Sequence, residues 1–287
     1  MSALGETQAR IVSIRKLKTV VGAMRGIAAA HAQQARQDLQ GYRAYTKIIA
    51  DGLGRAVECL EPDETPPPGP EETPGAIVAF TAEHGLAGAF SERVLDGLGD
   101  IDGSMVFMIG ARGVALAEQR GRRVAWSGPM SSQASGVGAT ARQVADALYA
   151  GFVAGRFARA EMLFSRLSGA GEPTLVRQPI LPIDPRAFRT HEGRSAPLVN
   201  LAPKRLVEQL VGEYVFAALA LAALESFAAE NTARLTTMEA ARVNIEQKLD
   251  DLSAQERLQR QEEITAEVQE ITAGALAAEN AAARAGA

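Results

Sequence analysis

Side chains that commonly carry chemistry are sparse in this sequence. Its three histidines, His31, His84 and His191, are dispersed, and no two have the short spacing with which one element presents paired metal ligands. The single cysteine, Cys59, permits no internal disulfide framework and fits a reducing compartment. One glycine-bearing segment, His84-Gly85-Leu86-Ala87-Gly88-Ala89-Phe90, follows an apolar run, where a nucleotide-binding turn would stand. It lacks the G-x-G-x-x-G spacing, no acidic residue is clearly placed to hold a ribose, and no Gly-Lys dipeptide occurs to form a Walker-type phosphate loop. A tight turn that needs small residues accounts for it. No catalytic residue, metal site or cofactor is therefore expected.

The elements that would position any site are unusual in length. From Lys204 to about Arg284 there is no proline and only two glycines, Gly212 and Gly274. Alanine, glutamate, leucine, glutamine and arginine dominate there, all good helix formers, and Pro203 stands where a helix start tolerates it. Roughly 80 helical residues make a rod on the order of 120 Å, which needs a partner or a sheath. Leu235, Met238, Ile245, Leu249 and Leu252 follow a 3-4 spacing with Arg242 in the one off-type slot, and Ile264, Val268, Ile271 and Ala275 repeat it in a shifted register. This is a coiled-coil seam with a stutter; the alternative is a helix of a larger bundle.

The first 60 residues also lack proline. Ile11, Ile14, Leu17, Val21, Met24, Ala28, His31, Ala35, Leu39 and Tyr42 mark one helical stripe, on which His31 reads as a partly buried spacer. Gly22 and Gly26, with Ala29 or Ala30, make a small-residue strip suited to close approach of another helix or to a kink. Residues 1–60 hold nine basic and four acidic side chains, whereas 204–287 hold eight basic and fourteen acidic. The two helices therefore attract, although salt screens the attraction over about 8 Å.

Between them, six prolines from Pro62 to Pro74 read as an acidic, extended linker. Strands are expected at Ala76–Ala82, Met105–Ile109, Arg123–Trp126, Ala160–Leu167 and Thr174–Leu181. Helices are expected at Ser91–Leu98, Ala111–Arg120 and Thr140–Val153, with mobile segments at 129–138 and 184–202. The alternation implies a mainly parallel sheet covered on both faces. The expected architecture is α/β plus all-α: a long antiparallel coiled coil of terminal helices, 1–60 and 203–287, with a linker at 61–75 and an inserted Rossmann-like α/β domain at 76–202. A net charge of -4 does not suggest a nucleic-acid binder. No early run reads as a signal peptide, and Ala217–Leu224, between Glu213 and Glu225, is too short to span a bilayer. The chain reads as soluble and cytosolic, with any membrane association made through a complex.

Four runs, RIVSIRKLKTVVGAMRGIAAA, AFTAEHGLAGAF, ESFAAENTARLTTMEAARVNIEQKL and RQEEITAEVQEITAGALAAE, resemble in order the gamma subunit of F-type ATP synthases, over nearly the whole chain. The resemblance implies a non-catalytic central rotor shaft inside a hexamer of alternating alpha and beta subunits. It further implies contacts with the epsilon subunit and the membrane c ring, on the cytoplasmic face of a bacterial inner membrane. It places Arg234 at the arginine of the family's ARM-like segment, and Arg260 and Gln261 at its Arg-Gln pair; these positions meet beta-subunit catch loops in the family. Met24 matches a methionine near the beta-subunit lever, and Arg10, Arg15, Lys16 and Lys18 keep a basic start. The Ala-rich end from Ala273 to Ala287 suits a slipping tip.

The departures are local. Gly22 stands where the family usually has lysine, Arg25 and Gly26 replace a Glu-Met pair, Ala30, His31 and Ala32 replace Ser-Lys-Met, and the turn reads GLAGAFS in place of GLCGGFN. They fit a divergent second synthase working mainly as an ATP-driven ion pump. Two other readings stay open: a static helical adaptor, and a nucleotide-binding α/β enzyme.

Overall fold

The computed structural model describes residues 3–60, 74–99, 103–168, 173–188 and 199–285. The proline-rich segment lies outside them except for Pro74, as does 189–198 of the expected mobile tail. Helix α1 runs Ala3–Val57 and helix α5 runs Pro203–Ala285. Between them in sequence come β1 (Gly75–Phe80), α2 (Phe90–Gly97), β2 (Met105–Ile109), α3 (Ala111–Gln119), β3 (Trp126–Gly128), α4 (Val137–Val153), β4 (Arg159–Leu167) and β5 (Pro173–Leu181). The chain divides into two compact units, one of residues 1–25 and 238–287, the other of 26–237.

In the larger unit the strands form one sheet in the order β3-β2-β1-β4-β5. Strands β1, β2, β3 and β4 are parallel and β5 runs antiparallel to β4, as expected from strands linked through helices. Both faces of β1 are covered, so alternate residues serve two cores. Ile77 and Ala79 pack with α2 and α3 through Val94, Leu95 and Leu116. Ala76, Val78 and Phe80 face the other way, toward α4, α1 and the stretch of α5 from Val215 to Ala228.

That stretch explains how an apolar helical segment is accommodated. By length and composition α5 holds a window apolar enough to cross a membrane, yet 61% of the window is buried inside the protein. Val215, Ala217, Leu219, Ala220, Ala223 and Leu224 are fully buried. Alanine predominates because a helix lying flat on a sheet and flanked by other helices has little radial space; small side chains let the backbones approach.

In the smaller unit α1 and α5 pair antiparallel. Gln8 bonds Glu256, Lys18 meets Glu246 and Arg25 meets Glu239: as one chain advances by 10 and then 7 residues, the other retreats by the same steps. The register therefore does not slip. Val21, Met238 and Ile245 form the seam, with Ile14, Met24, Ala241 and Leu249 partly buried around it.

Several expectations are corrected. The short strand at Arg123–Trp126 forms instead at Trp126–Gly128, where Trp126 packs 6.0 Å from Phe107 and sets the register. Segment 129–138 is anchored: Met130, Ala134 and Val137 are buried at i, i+4, i+7 spacing, and a single 3-10 turn at Ala134–Gly136 leads into α4. Among the described residues Gly22 and Gly26 have no close neighbour, since added Cβ atoms would meet nothing within 4 Å, whereas Ala28, Ala32 and Ala35 are buried on the other side of α1. Leu17 is 50% exposed, because the heptad step from Ile14 to Val21 passes through Lys18, which meets Glu246. The second seam has no partner among the described residues: every residue from 260 to 275 is exposed.

Burial of α5 on the sheet predicts unequal responses to truncation. Leu224→Ala, at a fully buried site, is expected to cost roughly 2–5 kcal/mol, while Leu258→Ala, at a site 58% exposed, should change stability by no more than about 0.5 kcal/mol. Urea unfolding monitored by circular dichroism measures both, and equal losses would contradict this packing.

Candidate functional site

In an open α/β sheet a ligand crevice lies beyond the carboxyl ends of the strands, where the strand order reverses. Here that point is between β1 and β4, since β1 leads outward to β2 while β4 lies on its other side. The crevice is filled by the chain itself. Ser226 of α5 donates its hydroxyl to the Phe80 carbonyl at 3.3 Å and accepts the Ser165 N–H at 3.4 Å, so it bridges the ends of both strands. Beside it Glu225, 2% exposed, accepts from Arg43 of α1 at 3.0 Å and from Arg166 of β4 at 2.6 Å. A buried carboxylate with two guanidinium partners is compensated, and only loss of both would leave its charge buried and unpaired.

The turn after β1 is closed in the same manner. The Glu83 carboxylate accepts the N–H of Ala111, the first residue of α3, at 3.2 Å and that of Met130 at 2.8 Å. A protein carboxylate thus occupies a helix N-terminus that would attract a phosphate. Gly110 has φ of 103°, and a Cβ there would lie 2.5 Å from the Thr81 carbonyl oxygen, so the ends of β1 and β2 leave no room for an insertion. Gly88, with φ of 58°, lets the turn lie against α5, where its Cβ would meet Thr237 Oγ1 at 3.0 Å.

Arg234 lies against this turn, and its side chain is 13% exposed. Its Nη2 donates to Glu230 at 2.6 Å, with longer contacts of 3.4 Å to the carbonyls of His84 and Gly85, and its Nη1 donates to the Asn231 side-chain oxygen at 3.2 Å. Glu230 is almost fully buried. Burial pushes its carboxyl up to about 7, against the opposing pull of Arg234 and with a further push from Glu83.

The other residues expected to make contacts stand in the smaller unit. Met24 is half-buried at the Val21–Met238–Ile245 seam, so part of its surface belongs to the coiled coil. Arg260 is 58% exposed and bonds Glu256 one turn earlier at 3.0 Å, and Gln261 is exposed. Arg242, the off-type seam residue, bridges Glu239 at 2.7 Å and Glu246 at 2.9 Å, the same carboxylates that Arg25 and Lys18 reach from α1. The Arg242 hydrogen bond chiefly holds Glu239 below the usual carboxylate range, and the Lys18 hydrogen bond does so for Glu246.

Sequence reasoning missed Glu83, Glu225, Ser226 and Glu230. A signal was present for three of them: Glu225, Ser226 and Glu230 interrupt the most apolar part of a helix, and polar groups survive such burial only when partnered.

A family model described as ATP synthase matches residues 3–278. The chain belongs to the ATP synthase gamma family. The gamma chain of Salinibacter ruber is 27% identical, with 97% of this chain and 99% of that one covered. The gamma chain of Frankia casuarinae is 29% identical, covering 95% and 96%. Among solved structures, a chain of the Euglena gracilis mitochondrial ATP synthase, from an assembly of OSCP, F1 and c-ring, superposes with a TM-score of 0.66 at 16% identity, covering 96% of this chain and 94% of that one. A chain of the rotor of the same synthase gives 0.63 at 16% identity, with 91% and 98% covered. As a gamma chain this protein is a non-catalytic subunit of an ATP synthase, in the sector peripheral to the membrane.

Glu230 should also mark the pH dependence of stability. Its folded value, about 7, exceeds the ordinary 4.5, so its contribution is fully present below 4.5 and is lost as pH rises to 7. The loss from this group is on the order of 3 kcal/mol. Glu230→Gln, which cannot titrate, is expected to flatten the slope; unfolding midpoints compared at about pH 5 and about pH 8 check this.

Proposed function

We propose that this chain is the rotating central shaft of an F-type ATP synthase or ATPase, coupling ion flow through a membrane c ring to ATP synthesis or hydrolysis at alpha and beta subunits. The observation that carries the reading is the unequal length of the paired helices. An in-register antiparallel pairing ends near Gln8 and Glu256, beyond which α5 continues as an exposed helix with Ile264, Val268 and Ile271 at 54–72% exposure. A paired segment resists torsion, and a single helix beyond it offers an apolar surface to surrounding subunits.

A single asymmetric shaft cannot touch three identical beta subunits equivalently. At each angle it favours a different conformation in each, and rotation exchanges those conformations and, with them, their nucleotide affinities. Arg260 and Gln261, exposed on α5, are the residues we assign to beta-subunit contact, with Arg234 and Met24 as further contact positions. Arginine suits the task because its planar fork meets a carboxylate bidentately. The epsilon subunit and c ring complete the partner set, and the complex sits on the cytoplasmic face of a bacterial inner membrane. Its curated relatives in Salinibacter and Frankia are bacterial.

Reconstitution tests the reading. Co-expressed with the alpha and beta subunits of its own genome, the chain is expected to enter a complex at one copy per three alpha-beta pairs and to be required for steady ATPase activity; a complex whose turnover ignores it would favour a static adaptor. Replacing Arg260 and Gln261 together by alanine is expected to lower turnover on the order of fivefold, the effect of one lost contact, with helicity unchanged by circular dichroism. Unchanged turnover would remove the pair from the contact surface.

A further inference from the structure

The environment of Arg234 is not that of a free surface arginine. Its guanidinium is gripped from its own helix by Glu230 at 2.6 Å and Asn231 at 3.2 Å, and it leans on the carbonyl oxygens of His84 and Gly85 at 3.4 Å. Asn231 is itself fully buried and anchored, its amide donating to the Phe227 carbonyl at 2.9 Å. Of these partners only Glu230 bears a carboxyl. We propose that Glu230 is the positioning residue for Arg234, holding its fork against the turn after β1 and setting how freely it can meet a carboxylate of a partner subunit. The inference rests on the reading of Arg234 as a contact position.

The physical basis is the difference between a charged and a neutral hold. When Glu230 is ionised its bond to Arg234 is charge-assisted, and a partner carboxylate must compete with it; when Glu230 is protonated the hold weakens and the guanidinium turns outward more readily. The groups facing Glu230 define this balance. Arg234 faces it from α5, one turn on, and Glu83 and His84 belong to the turn after β1. From α1, His31 packs on Phe227, 5.7 Å between rings and one turn before Glu230. Glu83 is committed to the N–H groups of Ala111 and Met130, so it is not a second acceptor for Arg234 but a nearby negative charge that resists ionisation of Glu230. The exchange falls near neutral pH, within the range in which such a complex is assayed.

The test uses the reconstituted complex with alpha and beta subunits, assayed for ATPase from about pH 6 to about pH 8.5. Wild type is expected to show an inflection near pH 7 that Glu230→Gln abolishes and Glu230→Asp restores. At about pH 8 the Gln variant should differ from wild type by two- to fivefold, the ratio for exchanging a charged for a neutral hydrogen bond. Arg234→Gln should also lower turnover, and adding Glu230→Gln to it should change nothing further, since the two act through one group. If Arg234→Gln leaves turnover unchanged, the contact reading of Arg234 fails, and this inference with it. If Arg234→Gln lowers turnover while Glu230→Gln follows wild type at every pH, only the positioning role is overturned. Should the Glu230 variants fail to assemble, the wild-type chain decides: its Arg234 side-chain NMR signal, assigned by its loss in Arg234→Lys, is expected to shift with a midpoint near pH 7, and a signal flat across that range overturns the proposal.

Discussion

Burial of the apolar stretch of α5 on one face of the sheet is the interaction on which the rest depends. A helix of 83 residues draws little net stability from its own hydrogen bonds in water, and most helical stability in proteins comes from packing. From Val215 to Ala229 that packing is nearly all-round, with β1 and β4 beneath and α1 and α4 beside. The sheet in turn gains the cover that a parallel arrangement requires on both faces. Neither element would persist without the other, and the polar residues Glu225, Ser226 and Glu230 are tolerated there only because each meets a partner.

The same packing determines what the α/β domain does not offer. Its topology has a switch point of the kind that holds nucleotides in other folds, but α5 crosses it and places a hydroxyl on the ends of β1 and β4, while Glu83 takes the N-terminus of α3. An ancient binding geometry need not be assumed to explain this. Filling the crevice fastens the long helix to the sheet, which is what a mechanical element requires of its anchorage.

In the smaller unit the roles of apolar and charged groups are divided differently. The seam of Val21, Met238 and Ile245 is narrow, and beside it Lys18, Arg25 and Arg242 share the carboxylates of Glu239 and Glu246. Such exposed pairs are screened by salt and contribute little to stability, but their alternation of sign specifies one register out of several that a short apolar seam would permit.

Helix length, four of the five strand positions, the parallel sheet and the family resemblance were legible in the sequence, because each depends on local composition or periodicity: absent prolines, 3-4 spacing, and short β-branched runs between glycines. The basic character of one helix and the acidic character of the other likewise foretold their pairing. What sequence alone did not determine was which faces met. Gly22 and Gly26 looked like a contact strip and face open space, Leu17 looked like a seam residue and is exposed, and Trp126 moved a strand by packing on Phe107. Resemblance singled out Arg234 as an expected contact position, while its tie to Glu230 and its place against the turn after β1 were not legible. Those outcomes depend on the azimuth of one helix against another and on side chains as much as 248 residues apart in sequence; only tertiary structure decides them, because periodicity gives a helix its faces without saying which neighbour each will bury.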